Sequence, residues 1–470
     1  MTNSPEFDNS NGFAAGIYRQ NAFYIRMTSL FDLEPPESDP LPIAVAMHAH
    51  EYVHFLHNAS TTAGQAYLLS NLMLLRAMAG GCDDQGHFLG SDDMAEDGRD
   101  FLSYTANMMR AQLGSTSANS LEVFSDIARW EYGDPRIDKV NEIPFTMAIF
   151  SAEDKQGKSK NQEIMIGLSF ITEGIAYEID REMRRLSGIQ EADLDAHTSI
   201  FPYRAYREAV RCWSGQDLQA HELIAIGVTA LAHQFSGFWL VEICKTLKAM
   251  GTPLNEVLEK AIASCRNGSE HTLAALREQR NDLSKGDVIW TAMGEYMKLA
   301  EAGAELRHNH LSPEFAFINA PLTPEDFRGR VGAMLDCLVI QEKPNDVLDM
   351  FWIGPGIIAD TERAASCLGA LQSALHFNQL HLKVDGSVVA TAALENRSIS
   401  CPFAGGCETE RNDKYPSACK SAPWLRFTSS QPGEQVCWYA AGVKALRNPQ
   451  KHSVTSDSLP GVVVAVPDSE

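Results

Sequence analysis

His50, Glu51 and His54 spell H-E-x-x-H within the stretch LPIAVAMHAHEYVHFLHNASTTAG. On a helix, positions i and i+4 share one face about a turn apart. Two imidazoles so placed can bind one tetrahedral metal ion from the same side. Glu51, one step further round, can reach a water in the metal's open position and take its proton. Those are the parts needed to attack an amide. With 14 His among 470 residues, composition alone yields only about 0.03 such matches, so accident is a weak explanation. The competing reading is a buried helix whose histidines are hydrogen-bonded core residues.

The element that must hold these groups is a helix. Asp39 can serve as its N-cap and Pro40 fits the first turn. Ala44, Met47, Glu51, His54 and His57 then recur at helical spacing, with no Gly or Pro until Gly64. Ile43, Val45, Val53, Phe55 and Leu56 make the helix apolar on most sides, as an interior metal helix should be. A catalytic zinc normally has three protein ligands plus water, so a third ligand must come from elsewhere. Glu173, in the helical stretch 161–189, sits among Ile166, Leu168, Phe170, Ile171 and Ile175. An unpaired carboxylate there is expensive, and coordination removes the expense. Glu178 or Asp180 can serve instead, and Glu173 can be ion-paired to Arg181, Arg184 or Arg185; these alternatives stay open.

Together the two stretches resemble the gluzincin zinc metallopeptidases, which pair H-E-x-x-H with a glutamate on a later helix. Thr172-Glu173-Gly174-Ile175-Ala176 looks like the N-E-G-F-A of one aminopeptidase group. The resemblance covers two short motifs. It implies an α+β zincin-like catalytic core, one catalytic Zn2+ held by His50, His54 and Glu173, and Glu51 as general base. The gap between His54 and Glu173 is longer than in typical members, and Tyr177 stands where many carry Asp. Such chemistry also needs a donor for the oxyanion. Tyr177, Tyr203, Arg204, Tyr206, His221 and His233 are eligible and the sequence does not choose; Tyr177, four positions after Glu173, is carried forward as the catalytic candidate. His221-Glu222 opens an H-E-x-x-A that lacks the second His and is set aside.

Length allows a large core and more than one domain. Hydrophobic residues at 44% and charged residues at 21% are ordinary for a soluble globular protein. A net charge of −22 argues against nucleic acid or an anionic membrane as partner. MTNSPEFDNSNG has no signal-peptide character, and no apolar run reaches membrane-spanning length. Ten scattered cysteines argue against a disulfide framework and for a reducing, cytoplasmic setting.

Along the chain, residues 1–12 read as disordered. Residues 21–33 read as a strand; the zincin resemblance makes it a candidate for the strand that borders the cleft and takes substrate alongside, the other reading being a hairpin in a small sheet. Residues 65–80 continue as helix, and 81–99 form an acidic loop without the pattern of a calcium site. Further helices are expected at 100–113, 119–131, 202–212, 218–250, 254–265, 273–283, 286–307, 323–338, 346–351 and 360–377. Loops are expected at 130–143 and 151–161. The overall expectation is a mainly α protein with a small β-sheet: a mostly helical domain over 1–385, with metal helix 41–58 and third-ligand helix 161–188, then a Cys-containing loop and β region over 386–470.

That last region opens on a hairpin turning at Asp385-Gly386 and closes on a short strand in LPGVVVAVPDSE. Between them lie Cys401, Cys407, Cys419 and Cys437, a candidate second site for structural Zn2+ or an iron–sulfur cluster. Their spacing matches no C-x-x-C signature; free thiols and a disulfide remain open. The leading expectation is a cytosolic zinc peptidase acting on a protein or peptide substrate, with a regulatory protein partner in view. The alternative is a non-catalytic, metal-stabilised interaction or sensor protein with the Cys centre at its C-terminus.

Overall fold

Sixteen of the seventeen residues from Ala44 to Ser60 are buried, Met47 being the exception. A helix apolar on nearly every side has to be enclosed by other elements, and the rest of the chain supplies them. The computed structural model describes residues 16–115, 127–195, 198–250, 253–344, 347–394, 398–404, 416–426 and 437–445, apart from 93, 266 and 384. It opens with strands β1 (Gly16–Ile17) and β2 (Tyr24–Met27), then helices α1 (Ala44–Ser60), α2 (Thr62–Ala79) and α3 (Glu96–Leu113). Strands β3 (Ile127–Tyr132), β4 (Arg136–Val140), β5 (Ile143–Asp154) and β6 (Ser159–Met165) follow. The helical body runs through α4 (Leu168–Leu186), α5 (Glu191–Leu194), α6 (Ala205–Ser214), α7 (Ala220–Leu231), α8 (Ser236–Met250), α9 (Leu254–Ser264), α10 (Gly268–Asn281), α11 (Val288–Asn309) and α12 (Pro324–Val331). Strands β7 (Cys337–Lys343) and β8 (Val347–Ile353) precede α13 (Thr361–Gln379), and short helices at Pro416–Ser421 and Trp438–Ala445 come last. The protein is mainly α with two small sheets, as expected.

Helices α4, α11 and α2 pack around α1. A chain of buried amides ties its C-terminal half to the rest. Asn21 Nδ2 donates to Asn58 Oδ1, Asn71 Nδ2 to Asn21 Oδ1, and Gln379 Nε2 to Asn71 Oδ1, at 3.2, 3.0 and 3.0 Å. Buried polar groups satisfied this way fix one arrangement of α1, α2 and α13. The helix starts later than expected: Ile43 occupies the N-cap without a side-chain bond, and Asp39 and Pro40 lie before it. At its other end Thr61 stops the helix and caps α2, accepting the Gly64 N–H at 3.1 Å.

The first sheet runs β1-β2-β7-β8, with β2 parallel to β7 in the register Tyr24↔Leu338 and the other pairs antiparallel. The strand expected over 21–33 is therefore short, giving way to a 3₁₀ turn at Ser29–Phe31. It is also internal. Among the described residues β7 pairs along one edge of β2 and β1 covers Arg26 and Met27 on the other, so β1 rather than β2 is the outer strand on that side.

Several expected helices and loops are corrected. Residues 347–351 and the end of 323–338 belong to β8 and β7, because CLVIQEK, buried at its first five positions, and VLDMFWI pair as an antiparallel ladder. Residues 127–131 form β3, and the loops expected at 130–143 and 151–161 are the turns and strands of a second sheet centred on β5. Strand β6 takes the start of the expected third-ligand helix, which begins only at Leu168. The long helix over 218–250 breaks between Leu231 and Ser236. The hairpin at Asp385-Gly386 reduces to one bridge, Leu382↔Val388, around Gly386 at φ 86°. Residues 1–12, 119–126, Cys407 and the closing LPGVVVAVPDSE lie outside the described residues. Among the described residues no helix is long and apolar enough to cross a membrane.

Candidate metal centre

Helix α1 presents His50 and His54 on one face, and α4 crosses against that face. Their Nε2 atoms lie 3.2 Å apart. Glu173 Oε2 stands 3.4 Å from His54 Nε2 and 3.8 Å from His50 Nε2. Ligands bound tetrahedrally at 2.0–2.1 Å sit about 3.4 Å from one another, so these three atoms mark three corners of one coordination shell. Among the described residues no other group of three His, Cys, Asp or Glu brings its ligand atoms within 4.8 Å of one another. The donor set of two imidazoles and one carboxylate suits a divalent ion with an open fourth position. The two histidines are buried and the Glu173 side chain is 25% exposed, so the open side is the side of Glu173.

The alternatives for the third ligand are occupied elsewhere. Glu178 takes Arg207 in a two-pronged pair, and Asp180 takes Arg184 at 2.7 Å. Arg181 pairs with Asp195 and Glu191, and Arg185 with Glu182. Glu173 is left to the histidines: burial would raise its carboxyl, but His54 and His50 hold it well below the usual range. Gly174, its neighbour, has a structural reason. A Cβ there would lie 2.2 Å from the Tyr206 side chain, so only glycine lets α6 press against α4 beside the ligand.

Glu51, next to His50 on α1, is 6% exposed. Burial raises its carboxyl to about 7, with Glu173 adding to the rise and His50 and the Tyr18 backbone N–H opposing it. A value near neutrality suits a group that both takes and returns a proton. Strand β1 runs directly over it: a Cβ on Gly16 would meet Glu51 Cγ at 2.6 Å. The next described side chain, Tyr18, stacks on the His54 ring with centroids 6.0 Å apart. Gly16 of β1 thus lies against Glu51, and Tyr18 just after the strand lies against the His54 ring; among the described residues β1 pairs only with β2.

The oxyanion candidates separate clearly. Tyr177 donates its hydroxyl to Asp195 and lies under Arg184. Tyr206 donates to Leu223 O at 2.8 Å in the core. His233 stacks on Trp239 and contacts Ala261 O, His221 is exposed, and Arg204 lies over Trp130. Tyr203 is the one whose ring meets His50, with centroids 5.8 Å apart. Its hydroxyl is held protonated, well above the ordinary tyrosine value, first by the charge of Glu173, then by burial and by the charge of Glu51. It stands close enough to both carboxylates for their charges to act on it. Spacing gave no means of preferring it, because it sits on the irregular turn Ile200–Arg204 and reaches the centre only through the α4–α6 packing.

Compared with protein-family models, curated proteins and solved structures, the chain matches none. The site has to be read from its own geometry.

Proposed function

We propose that the protein is a zinc-dependent metallopeptidase that hydrolyses peptide bonds of a protein or peptide substrate. What carries the reading is the convergence of His50, His54 and Glu173 within 3.8 Å, with Glu51 next to His50 on the same helix. A zinc ion held by those three residues would polarise a carbonyl and acidify water. Glu51 takes the proton of the attacking water and returns it to the departing amine. Tyr203 donates its hydroxyl hydrogen bond to the oxygen that gains charge, in place of Tyr177, whose hydroxyl is committed to Asp195. Among the described residues one edge of β1 (Gly16–Ile17) is unpaired, and its main-chain N–H and C=O groups are where an extended peptide can align.

The test is a metal analysis of the full chain joined to mass-spectrometric screening of a mixed peptide library. Zinc near one per chain, lost in His50→Ala, together with cleavage supports the proposal. Glu51→Gln should keep the metal and lower cleavage about 10²–10⁴-fold. The deep burial of Glu51 favours one second reading, a metal site that only holds the fold. That reading wins if the zinc-loaded chain cleaves nothing and Glu51→Gln behaves as wild type in every assay.

A further inference from the structure

Among the described residues Cys401, Cys419 and Cys437 share a pocket with room for about one water and make no metal-holding group. A far larger cavity, of about 690 Å³, opens at the C-terminal end of α1, where Ser60 and Thr61 line it. A space of that size takes a small organic molecule. None of His50, Glu51, His54 and Glu173 lines it, and Ser60 lies about 9 Å along the helix from His54.

Two helices start at its wall. Thr62 opens α2, Ser269 lies in the first turn of α10, and both line the cavity. A Cβ on Gly268, the first residue of α10, would lie 3.7 Å from Thr62 Cγ2. The far ends meet as well, Arg76 of α2 pairing with Asp282 just after α10 at 2.5 Å. Helices α2 and α10 therefore run side by side in one direction and bring their positive ends together at the cavity. Like partial charges gathered this way repel, and an anion set against both relieves them. A side chain adds to the pull. Thr62 is 6% exposed, and its hydroxyl has no hydrogen-bond partner among the described residues. Arg307 of α11, with its side chain 10% exposed, lines the same cavity and donates to Ser60 Oγ at 2.9 Å and Glu314 Oε2 at 3.0 Å.

Val228 of α7, Ile262 of α9, Ala304 of α11 and Leu311 give the lining an apolar part. We propose that this cavity binds an organic monocarboxylate, its head at the paired helix starts beside Thr62 and its apolar body along Val228, Ile262 and Leu311. The hydroxyl of Thr62 donates to the carboxylate, which satisfies the one buried donor left over. Charge sets the class of head. Arg307 is already matched by Glu314, and Glu270 also lines the cavity, so one negative charge is held better there than the two of a phosphate. The site is independent of the peptidase reading, because it shares no residue with the His50 centre.

The test is calorimetric titration of the full chain with octanoate and, for comparison, with 1-octanol, which has the same apolar body and no charge. At a net charge of −22 the chain disfavours general adsorption of an anion, so saturable octanoate binding is diagnostic. The expected result is one site per chain with Kd of about 1 mM or tighter, and octanol weaker by about tenfold. Thr62→Val should weaken octanoate about tenfold, and Ala304→Trp, which fills the cavity, should abolish its binding. Glu270→Gln, at an exposed position, should tighten it by removing a like charge. His50→Ala should leave binding unchanged, which separates this site from a carboxylate bound at the metal centre. Should Ala304→Trp fail to fold, the octanol comparison and the Thr62 and Glu270 variants still decide. Octanol binding as tightly as octanoate, octanoate binding unchanged in Ala304→Trp or lost in His50→Ala, or weaker binding in Glu270→Gln overturns the proposal.

Discussion

At position 173 a carboxylate stands in the apolar first half of α4, and every arginine close to it in sequence is taken by another acid. That allocation of partners, rather than the mere presence of Glu173, singles it out among the acids of α4. The same comparison separates the tyrosines, and it gives a prediction at a single atom. Tyr203→Phe should lower kcat about 10²–10³-fold with little change in metal content, since it removes one hydrogen-bond donor from the site. Tyr177→Phe removes a bond to Asp195 and should leave kcat close to wild type. Steady-state kinetics on one cleaved peptide measures both, and equal losses in the two variants would remove Tyr203 from its role.

Among the elements, α4 shows how a sequence pattern gains its physical meaning. Glu173 was visible from its neighbours, but Gly174 acquires a reason only when the Tyr206 side chain is seen within 2.2 Å of where a Cβ would go. Gly174→Ala should therefore destabilise the fold by about 1–3 kcal/mol, the usual consequence of overpacking. It should also weaken zinc binding, because relieving the clash moves α4 and its ligand. A thermal melt and a metal titration read the two effects.

Helix α1 was legible because a long apolar run with polar residues of one special type has few other interpretations; α4 was legible only from Leu168 onward. Strands β7 and β8 were not. CLVIQEK and VLDMFWI are short apolar runs that fit a helix or a buried strand equally well, and only their pairing decides. The β3–β6 sheet was hidden for the opposite reason. The strands around β5 are largely polar and exposed, so WEYGDPRIDKV and SAEDKQGKSKN look like loops until β5 gathers them.

For the molecule as a whole, the buried imidazoles set its response to acid. His48, His57 and His233 are each lowered by burial from 6.5 to about 4. An unfolded histidine takes up its proton first as the pH falls, so their contribution to stability is complete above pH 6.5 and is lost on the way down to about 4. Glu314 behaves differently. Burial would raise its carboxyl, but Arg307 and His57 hold it at about 2, so it stays charged throughout that window and loses its contribution only in stronger acid. The melting temperature should therefore fall steadily across the histidine window, and a flat profile there would contradict the assignment of neutral buried rings.

The parallel pairing of β2 with β7 has one more implication. Arg26 and Glu342 meet at 2.8 Å across 316 positions of chain, and Tyr52 of α1 bonds both the N–H and the O of Leu335. Helix α1 thus takes its final surroundings from residues made long after its own. On the ribosome, a nascent chain that already displays both histidines still lacks the wall that orders them, so a prematurely terminated product would hold the His50 and His54 rings in no fixed arrangement.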